Sequence, residues 1–142
     1  ISFIAGNIFD LPIASSCADA FSVLFAPIPY KEALRVLRPG GCLLICSAAP
    51  DHLAKLRQII YDDVITKETA VPAHESFTLG FRENIKYTVE LDAAELVSLF
   101  EMTPFRYRSR PDAAERVASH GKSRMTVSVM CNILIKNPNT FQ

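Results

Sequence analysis

One stretch constrains the fold more than any other. A helical stripe of Ala33, Leu34 and Leu37 runs into Arg38-Pro39-Gly40-Gly41 and then into the apolar run Cys42 to Ser47. Proline cannot continue a helix and glycine supplies positive φ, so the helix predicted from Tyr30 to Leu37 must stop there. The run that follows is apolar almost throughout rather than alternating, as expected of a strand covered by helices on both faces. A second apolar stretch, Ala20 to Phe25, is bounded by Asp19 and Ala26-Pro27 and supplies the strand before the helix.

The rest of the chain extends this pattern. Ile1 to Ala5 reads as a first strand, followed by Gly6-Asn7 and the loop Asp10-Leu11-Pro12. After Ala49-Pro50 a helix is predicted from Asp51, a suitable N-cap, with Leu53, Leu56, Ile60 and Val64 as its buried stripe. Thr66 to His74 reads as a loop. Ile85, Tyr87, Val89 and Leu91 alternate with polar residues and mark a half-exposed strand. Asp92 and Glu95 form a capping-box pattern for a helix through Phe100, and Arg110-Pro111-Asp112 introduces another through about His120. Met125 to Ile135 is the last strand, with Val127, Val129, Cys131, Ile133 and Ile135 on one face. The expected class is α/β, a mainly parallel sheet ending in an antiparallel hairpin of strands.

Composition narrows the classes of function. A chain of 142 residues suits one domain, and 49% apolar with 21% charged residues is an ordinary globular balance. No apolar run approaches the ~20 residues that cross a bilayer, so no membrane partner is expected. The start lacks the basic n-region and long apolar h-region of a signal peptide, and it lacks an initiator Met, so the chain reads as part of something longer. Formal net charge is zero, which lowers the expectation of a protein built mainly to bind phosphates but leaves room for an enzyme with one basic face. The four cysteines, Cys17, Cys42, Cys46 and Cys131, form no C-x-x-C pair and suggest no metal site. Cys42 and Cys46 fall on one face of the same strand and read as buried reduced thiols of a cytoplasmic protein.

Several strings together resemble the second half of a Rossmann-like class I methyltransferase that uses S-adenosylmethionine. Gly6-Asn7-Ile8-Phe9-Asp10-Leu11-Pro12 resembles the G-D-A-x-x-L-P-F segment after the third strand of that fold. Ala18-Asp19-Ala20-Phe21 resembles the F-D-x-V lead into its fourth strand, and Glu32 to Gly41 resembles the helix and L-R-P-G-G turn before its fifth. Phe25-Ala26-Pro27, Pro50-Asp51-His52-Leu53 before a helix with Ile60-Tyr61, and Met102-Thr103-Pro104-Phe105 are similar, in order and spacing, to the methyltransferases of guanine N1 in large-subunit ribosomal RNA. The resemblance implies an incomplete fold for residues 1–142, the C-terminal portion of a catalytic domain. The N-terminal strands with the glycine-rich loop are absent, no G-x-G occurs among the five glycines, and nothing corresponds to the family's N-terminal zinc module.

The resemblance also assigns roles. Asn7 and Ile8 are expected to meet the adenine of S-adenosylmethionine, and His52 to contact the same cofactor. Phe25, Ala26 and Pro27 lie where open α/β sheets bind ligands, at the carboxyl end of a central strand, and an aromatic there can stack on a flipped base. Thr103 is expected to wall the base pocket. Arg106, Arg108 and Arg110 alternate, which in an extended segment puts three cations on one face suited to the phosphates of 23S-type ribosomal RNA. Guanine N1 carries a proton that must leave during transfer, and Tyr30, Glu32 and His52 are the nominated bases, none of them convincing.

The expected function is methyl transfer to guanine N1 of ribosomal RNA by the intact enzyme, with these 142 residues inactive alone. A small-molecule methyltransferase of the same superfamily and a noncatalytic interaction protein derived from it are the alternatives. An upstream zinc module separates the first two, and an upstream glycine-rich loop excludes the third. The superfamily's strand order, 3-2-1-4-5-7-6, would leave the edge of Ala20 to Phe25 exposed without strands one and two. Either Ile1 to Ala5 moves over to cover that edge or another copy of the chain does, and self-association is the expected outcome.

Overall fold

The computed structural model describes residues 3–64 and 68–138. In chain order the elements are β1 (Ala18–Leu24), α1 (Tyr30–Val36), β2 (Leu37–Ala48), α2 (Ala54–Ile60), β3 (Phe77–Leu91), α3 (Ala93–Met102), α4 (Phe105–Arg108), α5 (Ala113–Ser119) and β4 (Ser123–Lys136). The strands form one four-stranded sheet in the order β1-β2-β4-β3, giving an α/β fold. The chain divides into two compact units, Ile1–Ser47 with Ala70–Asn84 and Met130–Gln142, and Ala48–Thr69 with Ile85–Val129.

In the first unit β1 pairs with β2 in parallel, in register from Ala20 opposite Cys42 to Leu24 opposite Cys46. Parallel neighbours require a crossover, and α1 is that crossover. Its Ala33 packs with Val23, Leu37, Leu43, Ile45, Phe77 and Leu134 in one buried cluster. The register slips at the start, because Ala18 faces Leu37 while Ala20 already faces Cys42. Arg38-Pro39-Gly40-Gly41 is therefore an extruded start to β2 as well as a helix stop. Gly40 takes φ +75°, and a Cβ on Gly41 would lie 3.0 Å from the Arg38 carbonyl and 3.1 Å from that of Asp19. Arg38 closes the bulge on Asp19 at 2.5 Å.

The sheet is mixed rather than mainly parallel. In the first unit the Asn137 N–H donates to the Ser76 carbonyl at 2.9 Å, and in the second Glu90 meets Lys122 at 2.9 Å and Arg124 at 3.1 Å. The start of β3 thus meets the end of β4 and the reverse, which makes the two antiparallel. Of the strand expected at Ile1 to Ala5, Ile1 and Ser2 lie outside the described residues, and Phe3, Ile4 and Ala5 belong to no strand. Among the described residues β1 has β2 as its one neighbour in the sheet, and Phe3 is 94% exposed. The face of β4 expected from Cys131, Ile133 and Ile135 is the less buried one, since Asn132, Leu134 and Lys136 are the deeply buried positions.

The second unit gathers α2, α3 and α5 around Leu53, Leu56, Ile60, Leu96, Phe100, Val117 and Met125. The Asp92 carboxylate accepts from the Glu95 N–H, and Glu95 accepts from the Asp92 N–H, both at 2.9 Å, completing the expected capping box. Asp51 is not the N-cap of α2. That position is Leu53, in the left-handed region at φ 49°, while the Asp51 carboxylate pairs with Lys86 at 2.6 Å. α2 ends at Ile60, so Val64 falls beyond it, and Thr66 and Lys67 of the expected loop lie outside the described residues. The last carbonyls of α2 are met by Arg116, whose guanidinium donates to Ile60 at 3.3 Å and to Asp62 at 2.8 Å.

Lys136 supplies the most consequential polar contact of the first unit. It is 3% exposed, and its Nζ donates to the carbonyls of Leu34 and Leu37 at 2.7 and 2.8 Å. These groups sit at the C-terminal end of α1, where carbonyls lack helical partners and a cation is favoured by the helix dipole. Lys136→Met keeps most of the stem but leaves both carbonyls without this donor. It should lower stability by about 1–3 kcal/mol, read as a shifted urea midpoint. An unchanged midpoint would show that the ammonium contributes nothing.

Candidate functional site

Asn7 and Ile8 occupy a short turn in the first unit. The Asn7 Oδ1 accepts from the Phe9 N–H at 3.0 Å, and the Asp10 N–H returns to the Asn7 carbonyl at 3.0 Å. The side-chain oxygen thus stabilises its own turn. Asn7 is exposed and Ile8 half-exposed, and the Asn7 amide NH2 and the Ile8 N–H are not used by the bonds that close the turn. Both are hydrogen-bond donors, as the ring nitrogens of adenine require.

The segment that carries this turn back to β1 is held by one ion pair. Glu32 is buried on α1 and accepts from Arg35 at 2.6 and 3.0 Å and from the Leu11 N–H at 2.7 Å. Arg35 also donates to the carbonyls of Ile13 and Leu11 at 2.7 and 3.0 Å. The Arg35 hydrogen bond, and then the Leu11 N–H, hold the Glu32 carboxyl at about 2. Glu32 is therefore a permanently ionised clamp with its oxygens engaged, which removes it from the nominated bases. Tyr30 is removed as well, because it stacks on His74 at 4.8 Å and burial pushes its phenol pKa up.

Phe25 follows β1 with φ 51°, in the left-handed region that a bulky side chain rarely adopts. Its N–H donates to the Cys46 carbonyl at 2.9 Å, and 59% of the residue is exposed. Strain of this kind persists only where surrounding structure imposes it, and it concentrates at functional positions. Ala26 and Pro27 continue it on the surface. No sequence signal announced the conformation of Phe25.

In the second unit His52 lies in the turn before α2, half-buried, and its Nδ1 accepts from the Ser128 N–H at 3.2 Å. Burial foremost pushes its pKa below the ordinary 6.5. Thr103 caps α3, its hydroxyl donating to the Phe100 carbonyl at 2.8 Å. The arginine run is helical where alternation suggested an extended segment. Arg106 and Arg108 sit on α4, two residues and roughly 200° apart at 3.6 residues per turn, so they do not share a face. Arg106 pairs with Glu101 and lies 5.7 Å from the Tyr107 ring centroid, while Arg110 pairs with Asp62 and Asp112. Arg108 is exposed and has no carboxylate partner among the described residues.

The second unit contains a hollow that the sequence did not reveal, and its Arg116 is paired with Asp62 and Asp112. A cavity of about 420 Å³ is lined by Lys55, Gln58, Ile59, Arg116, Ser119 and His120, with no carboxylate in its wall. Lys55 and Gln58 come from α2, Arg116 and Ser119 from α5, so only packing brings them together. Among the described residues no three His, Cys, Asp or Glu side chains are grouped to hold a metal ion, and no helix is long and apolar enough to cross a membrane.

His52 gives a pH-dependent prediction. A histidine whose pKa is lower in the folded state binds fewer protons there than when unfolded. Its stabilising contribution is full above the unfolded pKa near 6.5 and is lost as pH falls through the folded value. His52→Ala should cost about 1–3 kcal/mol at pH 8, by removing the acceptor for Ser128, and should flatten the loss of stability below that pH. Parallel stability curves for variant and parent would contradict this.

No family model matches the chain. The chain is 31% identical over 128 residues to the 23S rRNA (guanine(748)-N(1))-methyltransferase of Streptomyces fradiae, covering 84% of this chain and 45% of that protein. It is 27% identical over 116 residues to the putative 23S rRNA (guanine-N(1)-)-methyltransferase YxjB of Bacillus subtilis strain 168, covering 78% and 41%. The chain thus spans under half the length of these curated relatives. A solved structure described as the conversion of a disulfide bond into a thioacetal group during echinomycin biosynthesis superposes with TM-score 0.52 at 10% identity, over 95% of this chain and 56% of that one. That likeness concerns the fold alone. By sequence, the chain is related to the 23S ribosomal RNA guanine-N1 methyltransferases, a branch of the class I methyltransferases.

Proposed function

We propose that this chain contributes to an S-adenosylmethionine-dependent methyltransferase acting on guanine N1 of 23S-type ribosomal RNA. The observation that carries the reading is the alignment over 128 residues at 31% identity with an enzyme named for that reaction. The local geometry supports it. Asn7 and Ile8 offer donors suited to adenine, and Phe25 is an exposed aromatic held in a strained backbone at the end of β1, the residue type that stacks on bases. S-adenosylmethionine supplies an electrophilic methyl group on a sulfonium, so the protein's task is to orient the acceptor nitrogen and exclude water. His52 is the remaining base candidate, kept neutral near pH 7 by burial. Its Nδ1 already accepts a main-chain N–H, so its part in the reading is to position the turn before α2 beside a cofactor. In this reading Thr103, tied to the end of α3, shapes the wall of the base pocket.

For RNA phosphates the reading uses Arg108 and Lys55 in preference to Arg106 and Arg116, which Glu101 and Asp62 already pair. In this reading the protein works in the cytoplasm. Deleting the gene in its host should remove one 1-methylguanosine from large-subunit rRNA, read by mass spectrometry of nucleosides, and the gene in trans should restore it. Intact 1-methylguanosine in the deletion strain would sink the reading and favour a small-molecule acceptor.

We also propose that the 142-residue chain self-associates through β1, which has β2 as its single neighbour and carries the exposed Leu24. An unpaired apolar strand edge invites a second strand. Sedimentation at rising concentration should show dimers, and a monodisperse monomer throughout would contradict the pairing.

A further inference from the structure

Two thiols that the methyl-transfer reading leaves unused lie side by side in the first unit. The Sγ atoms of Cys46 and Cys131 are 3.3 Å apart, each on a half-buried residue. Cys46 belongs to β2 and Cys131 to β4, which are neighbours in the sheet. A disulfide needs its sulfurs at ~2.05 Å, so bridging asks these to approach by a little over ~1 Å. The main chain around them is already fixed. Cys46 faces Leu24 across the β1–β2 ladder, and its carbonyl holds the Phe25 N–H at 2.9 Å.

We propose that Cys46 and Cys131 form an oxidisable dithiol, a modification site at which a hydroperoxide closes an intramolecular disulfide between β2 and β4. One sulfur attacks the peroxide oxygen, the O–O bond breaks, and a sulfenic acid and one water, or alcohol, result. The second sulfur then attacks the sulfenic sulfur. Its S–H proton leaves with the departing hydroxyl as water, and the S–S bond forms. Two thiols are oxidised by two electrons, and the peroxide is reduced by two. Because the second sulfur is already in contact, this step is intramolecular and outruns capture of the sulfenic acid by other thiols.

The remaining cysteines are poorly placed to pair with Cys46. Cys42 lies four residues from Cys46 along β2, roughly 13 Å at ~3.3 Å per residue, beyond bridging distance. Cys17 is exposed and solitary, its thiol donating to the Ala14 carbonyl at 2.9 Å. Burial, and then the Cys131 sulfur, push the Cys46 thiol up to about 11. Cys46 therefore stays protonated at neutral pH, and closure should quicken as pH rises. A closed bridge would fasten β4 to the strand end that receives the Phe25 N–H, linking redox state to the segment with the strained aromatic.

The test uses the 142-residue chain with Cys17→Ser, treated with excess hydrogen peroxide at pH 8. Titratable thiols should fall from three to one, the intact mass should drop by two hydrogens, and peptide mapping should link Cys46 to Cys131. Dithiothreitol should restore all three. Adding Cys46→Ser should abolish the linked peptide. Oxygen adducts without a link, links through Cys42, or thiols that survive treatment would each overturn the proposal.

Discussion

The parallel pairing of β1 with β2 governs the first unit, because it cannot exist without a crossover that leaves one sheet edge and returns to it. α1 is that crossover. At seven residues it is too short to be stable from its own hydrogen bonds, so it depends on what its ends and faces meet. Its apolar face enters the cluster of Val23, Leu43 and Ile45. The carbonyls of Leu34 and Leu37 at its C-terminal end receive a buried ammonium from Lys136, nearly a hundred residues later in the chain. Polar and apolar contacts thus converge on one short helix.

The same helix organises the loop that precedes β1. Glu32 and Arg35 bind each other and, between them, the backbone of Leu11 and Ile13. A loop with few apolar contacts is ordered in this way by charge-assisted hydrogen bonds rather than by a core. The turn bearing Asn7 and Ile8 is carried at the far end of that loop. The unusual backbone of Phe25 arises where β1 ends and its N–H is drawn to Cys46. Two candidate ligand contacts, for a cofactor and for a base, are therefore products of how α1 and β2 hold the chain.

The second unit shows how a basic segment can mislead. Arg106-Tyr107-Arg108-Ser109-Arg110 alternates in sequence, but Pro104 starts a helical turn and the cations diverge. Glu101, Asp62 and Asp112 then neutralise two of the three arginines. Where α2 and α5 pack, Lys55 meets Arg116 and His120 from segments some sixty residues apart, and there too the arginine is held by Asp62 and Asp112. A phosphate-binding face depends on which cations lack acidic neighbours, not on how many occur in a row.

What the sequence determined by itself was local. The stop at Pro39-Gly40, the capping box at Asp92 and Glu95, the apolar runs of β1 and β2 and the relation to guanine-N1 methyltransferases were all legible within windows of a few residues. It did not reveal that Asp51 would turn to Lys86 instead of capping α2, or that β4 would bury Asn132 and Lys136 in place of its more apolar face. Nor could it show that His52 would receive the Ser128 N–H, or that Cys46 would meet Cys131 and not Cys42. The paired residues are remote in the chain, so each choice follows from which groups the tertiary structure brings together. A polar group can take only the partner that the tertiary structure brings within reach, and that partner is not encoded in the propensity of its neighbours.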